Sequence, residues 1–279
     1  MRSTLKIIVV LLFITTFAGC SMFSRRFTKM YTGENRVTAV GKKSFTLDNT
    51  NGRIKVSHTN EDFIIIKYDI ERKVKKSELD DAKKTFDLRI DSTGSQVRVV
   101  VDEPEEHGFV FGNSFRANFE IFVPEGVDLE INNVNGNIIF DEMGNNIITE
   151  LTNGSVDLQN NTGVSKVNIV NGSLNATVDS TKGMDVEIVN GNIRLKTKKN
   201  FAGQISTDIV HGKFTHEGIE FTKVKDRDDK NYSSTKEFDG SIGNSDAKLK
   251  YSVTSGNISI IALERSGDKV TEKTNDKAK

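Results

Sequence analysis

The dipeptide Asn-Gly recurs along this chain at a near-constant interval, and that recurrence limits the fold more than any other feature. It stands at Asn51-Gly52, Asn135-Gly136, Asn153-Gly154, Asn171-Gly172 and Asn190-Gly191, and His211-Gly212 and Ser255-Gly256 continue the series. From Gly136 the glycines are 18, 18, 19 and 21 residues apart, followed by a gap of 44. Self-similarity at such a period marks a repeat architecture. The flanks align on each glycine. Two residues after it come Ile54, Ile138, Val156, Leu174, Ile193, Phe214 and Ile258, and five before it come Leu47, Ile131, Thr149, Val167, Val186, Thr207 and Tyr251. Three before it sit Leu151, Ile169, Ile188, Ile209 and Val253, but Asn49 and Asn133 in the first two copies. The positions between are mostly polar. Alternation with period two on both sides of a turn gives two short strands per unit, meeting at the Asn-Gly. A second glycine corner, at Gly144, Gly163, Gly183 and Gly203, separates the units.

Two all-β architectures satisfy this pattern. Asn-Gly between alternating strands is the strongest short-range hairpin signal, and a hairpin pairs Ile188 with Ile193 and Val186 with Leu195, so an antiparallel meander is permitted. In the rival, a parallel β-solenoid, each unit of 18–21 residues is one coil, and like residues stack about 4.8 Å apart. Three features favour the solenoid. The same turn residues recur once per unit while the other corner differs in composition. The series Asn135, Asn153, Asn171 and Asn190 forms a side-chain ladder of the kind that in-register strands favour. Small and large inward residues, Ala176 against Phe140 or Phe214, fill a narrow continuous core. The crossover rule for parallel strands makes the solenoid right-handed.

The flanks divide the rest. Residues 32–126 read as a β-rich N-terminal half of the domain at 32–262, with strands over Arg36–Val56, Phe63–Val74 and Phe115–Pro124 and a hairpin-like pair over Phe86–Val101. Lys75–Phe86 is the one helix candidate, with Ser77 and Asp80 at capping-box spacing. Regular coils occupy 127–217, a polar insertion 218–247 and a last coil 248–262. Residues 263–279 are a charged tail whose composition predicts disorder.

The N-terminus reads as an address. Arg2 and Lys6 precede an uncharged, mostly apolar run from Ile7 to Phe17, then Ala18 and Gly19, the order of a secretory signal at 1–19. The run is too short for a membrane-spanning helix, which needs roughly 20 apolar residues. Phe17-Ala18-Gly19-Cys20 resembles the bacterial lipobox, with Phe for the usual Leu. The resemblance implies cleavage before Cys20, acylation (palmitate among the acyl groups) of the chain's only cysteine, and residues 20–31 as a lipidated tether. Ser21 in place of Asp favours the outer membrane in a Gram-negative host. Membrane lipid is then the first partner. The chain has 39 basic and 39 acidic residues. A balanced charge argues against nucleic acid, which is bound by basic patches. A single cysteine excludes an internal disulfide framework.

The ordered motifs Asn51-Gly52-Arg53-Ile54-Lys55-Val56, Val123-Pro124-Glu125-Gly126-Val127, the serial Asn-Gly units, and Gly240-Ser241-Ile242-Gly243 through Ser255-Gly256-Asn257-Ile258 resemble the bacterial putative-adhesin domain family of unknown function, over roughly residues 38–262. The resemblance implies an envelope-associated, extracytoplasmic protein of β-solenoid type and no established chemistry.

Catalytic signals are sparse. Glu150, Asp157 and Glu187 can form an acidic stripe along stacked coils, and a glycosidase needs two carboxylates at a set separation. A solvated sheet face with pairs such as Glu187 with Arg194 explains the same residues without chemistry. His58, His107, His211 and His216 show no metal spacing, and His216 falls at an inward position. No nucleophile-elbow or phosphate-loop motif occurs. No metal site and no cofactor are expected. The apolar segment Gly108–Phe115 either docks a partner or covers an end of the core. These features favour a non-catalytic, membrane-anchored lipoprotein that binds or scaffolds at the cell envelope, with an envelope polysaccharide or a protein as its further partner. The alternatives are a carbohydrate-active enzyme acting on envelope or external polysaccharide, and an envelope-stress or regulatory accessory.

Overall fold

The structure, a computed structural model, describes residues 26–75, 87–102, 114–198, 201–226 and 237–263. Arg26–Thr38 (β1), Ser44–Asn51 (β2), Ile54–His58 (β3) and Phe63–Lys75 (β4) lead into Asp87–Asp91 (β5), Gln96–Asp102 (β6) and Ser114–Val123 (β7). The repeat follows as Asp128–Asn135 (β8), Ile138–Asp141 (β9), Ile147–Gln159 (β10), Val164–Val178 (β11) and Gly183–Lys198 (β12). Gly203–His211 (β13), Phe214–Glu217 (β14), Lys223–Asp226 (β15), Glu237–Ile242 (β16), Lys248–Ser255 (β17) and Ile258–Leu263 (β18) complete one 18-stranded sheet.

The Asn-Gly units pair with one another in parallel. Ile169 lies opposite Leu151 on one side and Ile188 on the other, and Gly172 lies between Gly154 and Gly191. The two halves of a unit do not pair across their own turn: Val186 faces Val167 and Tyr251, while Leu195 faces Ala176 and Ile260. The antiparallel meander is therefore not formed. A β-carbon on Gly154 would stand 1.8 Å from the carbonyl oxygen of Gly136, so each turn rests on the backbone of the turn below and admits only glycine there. The turns instead join consecutive stretches of one rung.

The asparagines complete the stacking. Asn135 donates from Nδ2 to Asn51 Oδ1 at 2.9 Å, Asn153 to Asn135 at 2.9 Å, Asn171 to Asn153 at 3.1 Å and Asn190 to Asn171 at 3.0 Å. The ladder thus begins one rung earlier than the sequence suggests, at Asn51. The two polar exceptions at the inward position also pair. Asn49 and Asn133 are buried, with Asn49 Nδ2 donating to Asn133 Oδ1 at 3.1 Å and to the Ala117 carbonyl at 3.2 Å, and Asn133 Nδ2 donating to the Gly52 carbonyl at 2.9 Å.

Rung order differs from chain order. β17 and β18, from the last unit, lie between β12 on one side and β13 and β14 on the other. The coil at 248–262 is thus not terminal in the stack, as the sequence order implied. Its place is fixed by packing and by amides: Tyr251 is fully buried, its hydroxyl donating to Met184 Sδ at 3.5 Å, and the Asn257 backbone N–H donates to Asn192 Oδ1 at 3.0 Å. At the opposite side β2 and β3 stack directly on β8 and β9, and β6 and β7 lie outside them, again parallel.

Antiparallel strands close the ends. β5 pairs with β6, and β4 with β7, while β1 pairs along the whole of β4. Residues 26–31, expected in the tether, therefore belong to this paired strand. At the other end β16 pairs antiparallel with β13 and β15 with β16, so the insertion at 218–247 contributes two strands. The helix expected over Lys75–Phe86 is absent from the described residues, none of which is helical; Lys75 ends β4, and 76–86 lie outside them. The core runs the length of the stack, from Phe45, Ile54 and Ile121 through Phe140, Leu158, Ile169 and Leu195 to Ile260 and Phe238.

Candidate functional site

Outward side chains four residues before each glycine form one row. In spatial order it reads Asp48, Asn132, Glu150, Asn168, Glu187, Ser252 and Asp208. An acid stands on every second rung. At about 4.8 Å per rung, neighbouring acids are about 9.6 Å apart, far enough to limit like-charge repulsion. Two residues further along each rung is a second row, Thr50, Val134, Thr152, Val170, Val189, Thr254 and Val210, β-branched at every rung. Val134, Val170, Val189 and Val210 are 40–49% exposed. The pairing register skips this position in every ladder, as between Leu151↔Ile169 and Asn153↔Asn171. The backbone turns there, and the two rows become the walls of a groove.

The groove has a volume of about 770 Å³ and runs from Asp48 to Asp208, with Asn49, Asn133, Leu151, Ile169, Ile188 and Val253 along its floor. No Lys or Arg lines it among the described residues. Asp48, at one end, is already engaged. It accepts from Arg98 at 2.9 Å and from Asn132 Nδ2 at 3.0 Å. Glu150, Glu187 and Asp208 are exposed and make no ion pair among the described residues. Oδ1 of Asn132 and of Asn168, which stand between acids, is buried without a hydrogen-bond partner. Oδ1 of Asn49, at the Asp48 end, is likewise buried and unpartnered, in a residue only 6% exposed.

Only part of the stripe read from sequence lies here. Glu150 and Glu187 share the row, separated by Asn168. Asp157 is on the other side of the turn, opposite Asn175, whose Nδ2 donates to it at 2.9 Å. Glu187 and Arg194 likewise occupy different rows, so they are not a cross-strand pair. Asp208 also belongs to the groove and stands two rungs from Glu187, because Ser252 intervenes from a distant part of the chain. The valine and threonine row had a visible signal, a β-branched residue two before every glycine.

His216 is exposed rather than inward. Its ring lies 5.0 Å from Phe221 and 5.9 Å from Phe214, and Phe238 stacks on Phe214 at 4.6 Å. No group of three or more His, Cys, Asp or Glu able to hold a metal occurs among the described residues. Phe17, Ala18, Gly19, Cys20 and His107 lie outside the described residues, as does Gly108–Phe115 apart from Ser114 and Phe115 in β7.

No protein-family model matches the chain, and no curated protein does. Among solved structures, a putative cell adhesion protein from Clostridium sporogenes is 13% identical, over 84% of this chain and 100% of that one, with a TM-score of 0.46. A putative adhesin from Bacteroides fragilis is 12% identical, over 83% and 97%, with a TM-score of 0.28. A putative lipid binding protein from Parabacteroides distasonis is 9% identical, over 84% and 97%, with a TM-score of 0.28. These values lie below the level at which a shared family follows.

Proposed function

We propose that the chain is an extracytoplasmic bacterial lipoprotein, anchored through an acylated Cys20, that binds or scaffolds at the cell envelope without catalysis. In this reading the stacked units form a right-handed parallel β-solenoid, the hand expected of parallel crossovers. The groove is its binding face. The observation that carries the proposal is the regularity of that face: one outward row and one β-branched row repeat over every rung from Asp48 to Asp208. Stacked repeats characteristically offer such extended surfaces for binding. Acylation supplies anchoring, each buried CH₂ contributing about 0.8 kcal/mol.

The test has two arms. Cys20→Ser should move the protein from the membrane to the soluble fraction; unchanged fractionation removes the anchor. Full-length protein in detergent, incubated with envelope polysaccharide and peptidoglycan, should co-sediment without releasing sugar, and Glu187→Gln should weaken the co-sedimentation. Released sugar would support the carbohydrate-active alternative and make Glu150 and Glu187 the first residues to replace.

A further inference from the structure

The groove's occupant must match its repeat. It has to be long, since the rows span about 29 Å over six intervals of about 4.8 Å. It has to carry positive charge on one edge at intervals near 9.6 Å and apolar surface on the other. It cannot rely on backbone pairing, because the strands beneath the groove are already paired with neighbouring rungs on both sides.

Peptide conformations differ in how they meet that repeat. An extended strand presents same-face side chains about every 6.8 Å, which fall out of step with the acids at once. An α-helix brings like positions round about every 10.5 Å over two turns, and at about 10–12 Å across it is wide for the groove. A polyproline II helix turns once in three residues, about 9.3 Å, and leaves its backbone solvated with no internal hydrogen bonds. Its drift against the acidic row is about 0.3 Å per interval, under about 1 Å over the whole row.

The geometry points to a cationic polyproline II segment, with Lys or Arg at every third residue and proline or another apolar residue facing the valines, as the ligand of this groove. The cations meet Glu150, Glu187 and Asp208, the acids without a partner among the described residues, while Asp48 stays with Arg98. The apolar edge covers Val170, Val189 and Val210, which are 44–49% exposed. Each ion pair is weak by itself in water, so affinity comes from the repeat and falls with salt. The inference rests on the reading of the groove as the binding face and adds the class of ligand.

The test is fluorescence anisotropy with full-length protein in detergent and a dye-labelled peptide of Lys-Pro-Pro triplets long enough to span the row. A second peptide has the same composition with all lysines in one block. The triplet peptide should bind about fivefold or more tightly than the block peptide. Glu150→Gln with Glu187→Gln should weaken it about tenfold, whereas Asp157→Asn, in the other row, should not. Equal binding of the two peptides, or equal loss with Asp157→Asn, overturns the inference. If an oligomer of glucosamine binds and responds to Glu187→Gln while neither peptide does, the groove stands and this ligand falls. If no probe and no envelope polymer responds to Glu187→Gln, both readings fall.

Discussion

Gly191 rests on the backbone of Gly172: a β-carbon added to Gly191 would lie 1.4 Å from the Gly172 carbonyl oxygen. No rotamer relieves such a contact, because both partners are main chain. The repeat therefore requires glycine here for spacing as well as for its dihedral angle of φ 151°.

Gly191→Ala should accordingly cost about 3–5 kcal/mol, in the range of severe single substitutions. Gly41→Ala is the control, since that glycine has a φ of 76° with nothing near its β-position; it should cost about 1 kcal/mol. Urea midpoints of the two variants decide the matter, and equal midpoints would mean that the turns do not stack as described.

Outward and inward positions should differ sharply at adjacent residues. Ile169 is 2% exposed and Val170 is 44% exposed. Ile169→Asp should unfold the domain, because an unpaired charge would enter the core. Val170→Asp should leave the circular dichroism spectrum and thermal midpoint nearly unchanged. Any reversal of this order contradicts the register.

Asn49 and Asn133 should be energetically coupled. Replacing either by Leu leaves its buried partner short of a hydrogen bond, at about 1–3 kcal/mol. Replacing both removes the mutual penalty. The double-mutant cycle should give a coupling of about 0.5–3 kcal/mol, and additivity would show that the pair does not interact.

Tyr251 should govern part of the alkaline limb of stability. Burial pushes its phenol pKa far above the ordinary value. The neutral form alone fits the fold, so its contribution is complete below about pH 10, the unfolded pKa, and is lost as pH rises beyond it, at about 1.4 kcal/mol per pH unit. Burial also raises Tyr68 and Tyr31, less completely, with Arg72 opposing the effect at Tyr31. Tyr251→Phe should flatten this limb. An unchanged slope between pH 10 and 12 would locate the titration elsewhere.

Much of this was legible because a parallel stack writes its register into the sequence. Each rung repeats the same inward positions, so Ile169 and Ile188 could be assigned to the core, and the Asn-Gly series could be read as a ladder. The hairpin over 87–102 and the long strand from Phe63 were equally local. Rung order was not legible. A parallel ladder sets no requirement that neighbours in space be neighbours in chain, and nothing in the spacing after Gly212 says which edge accepts Tyr251. The groove was half visible for the same reason: Glu150 and Glu187 are separated by one local rung, whereas Asp208 joins them only through Ser252. Asp157 was misgrouped because the turn at Gly154 carries it onto another face.

The position of 248–263 between β12 and β13 also governs how the molecule can be assembled. A nascent chain can add β10, β11 and β12 as each is made, but β13, whose other edge pairs with β16, joins the parallel stack only once Leu249 and Tyr251 exist. The stack is closed in its interior, by β17 and β18, which are made after β13, rather than at its tip. Cutting the chain before Lys248 would therefore not give the same object one rung shorter. It would leave two raw edges, on β12 and on β13, with nothing of the right shape between them.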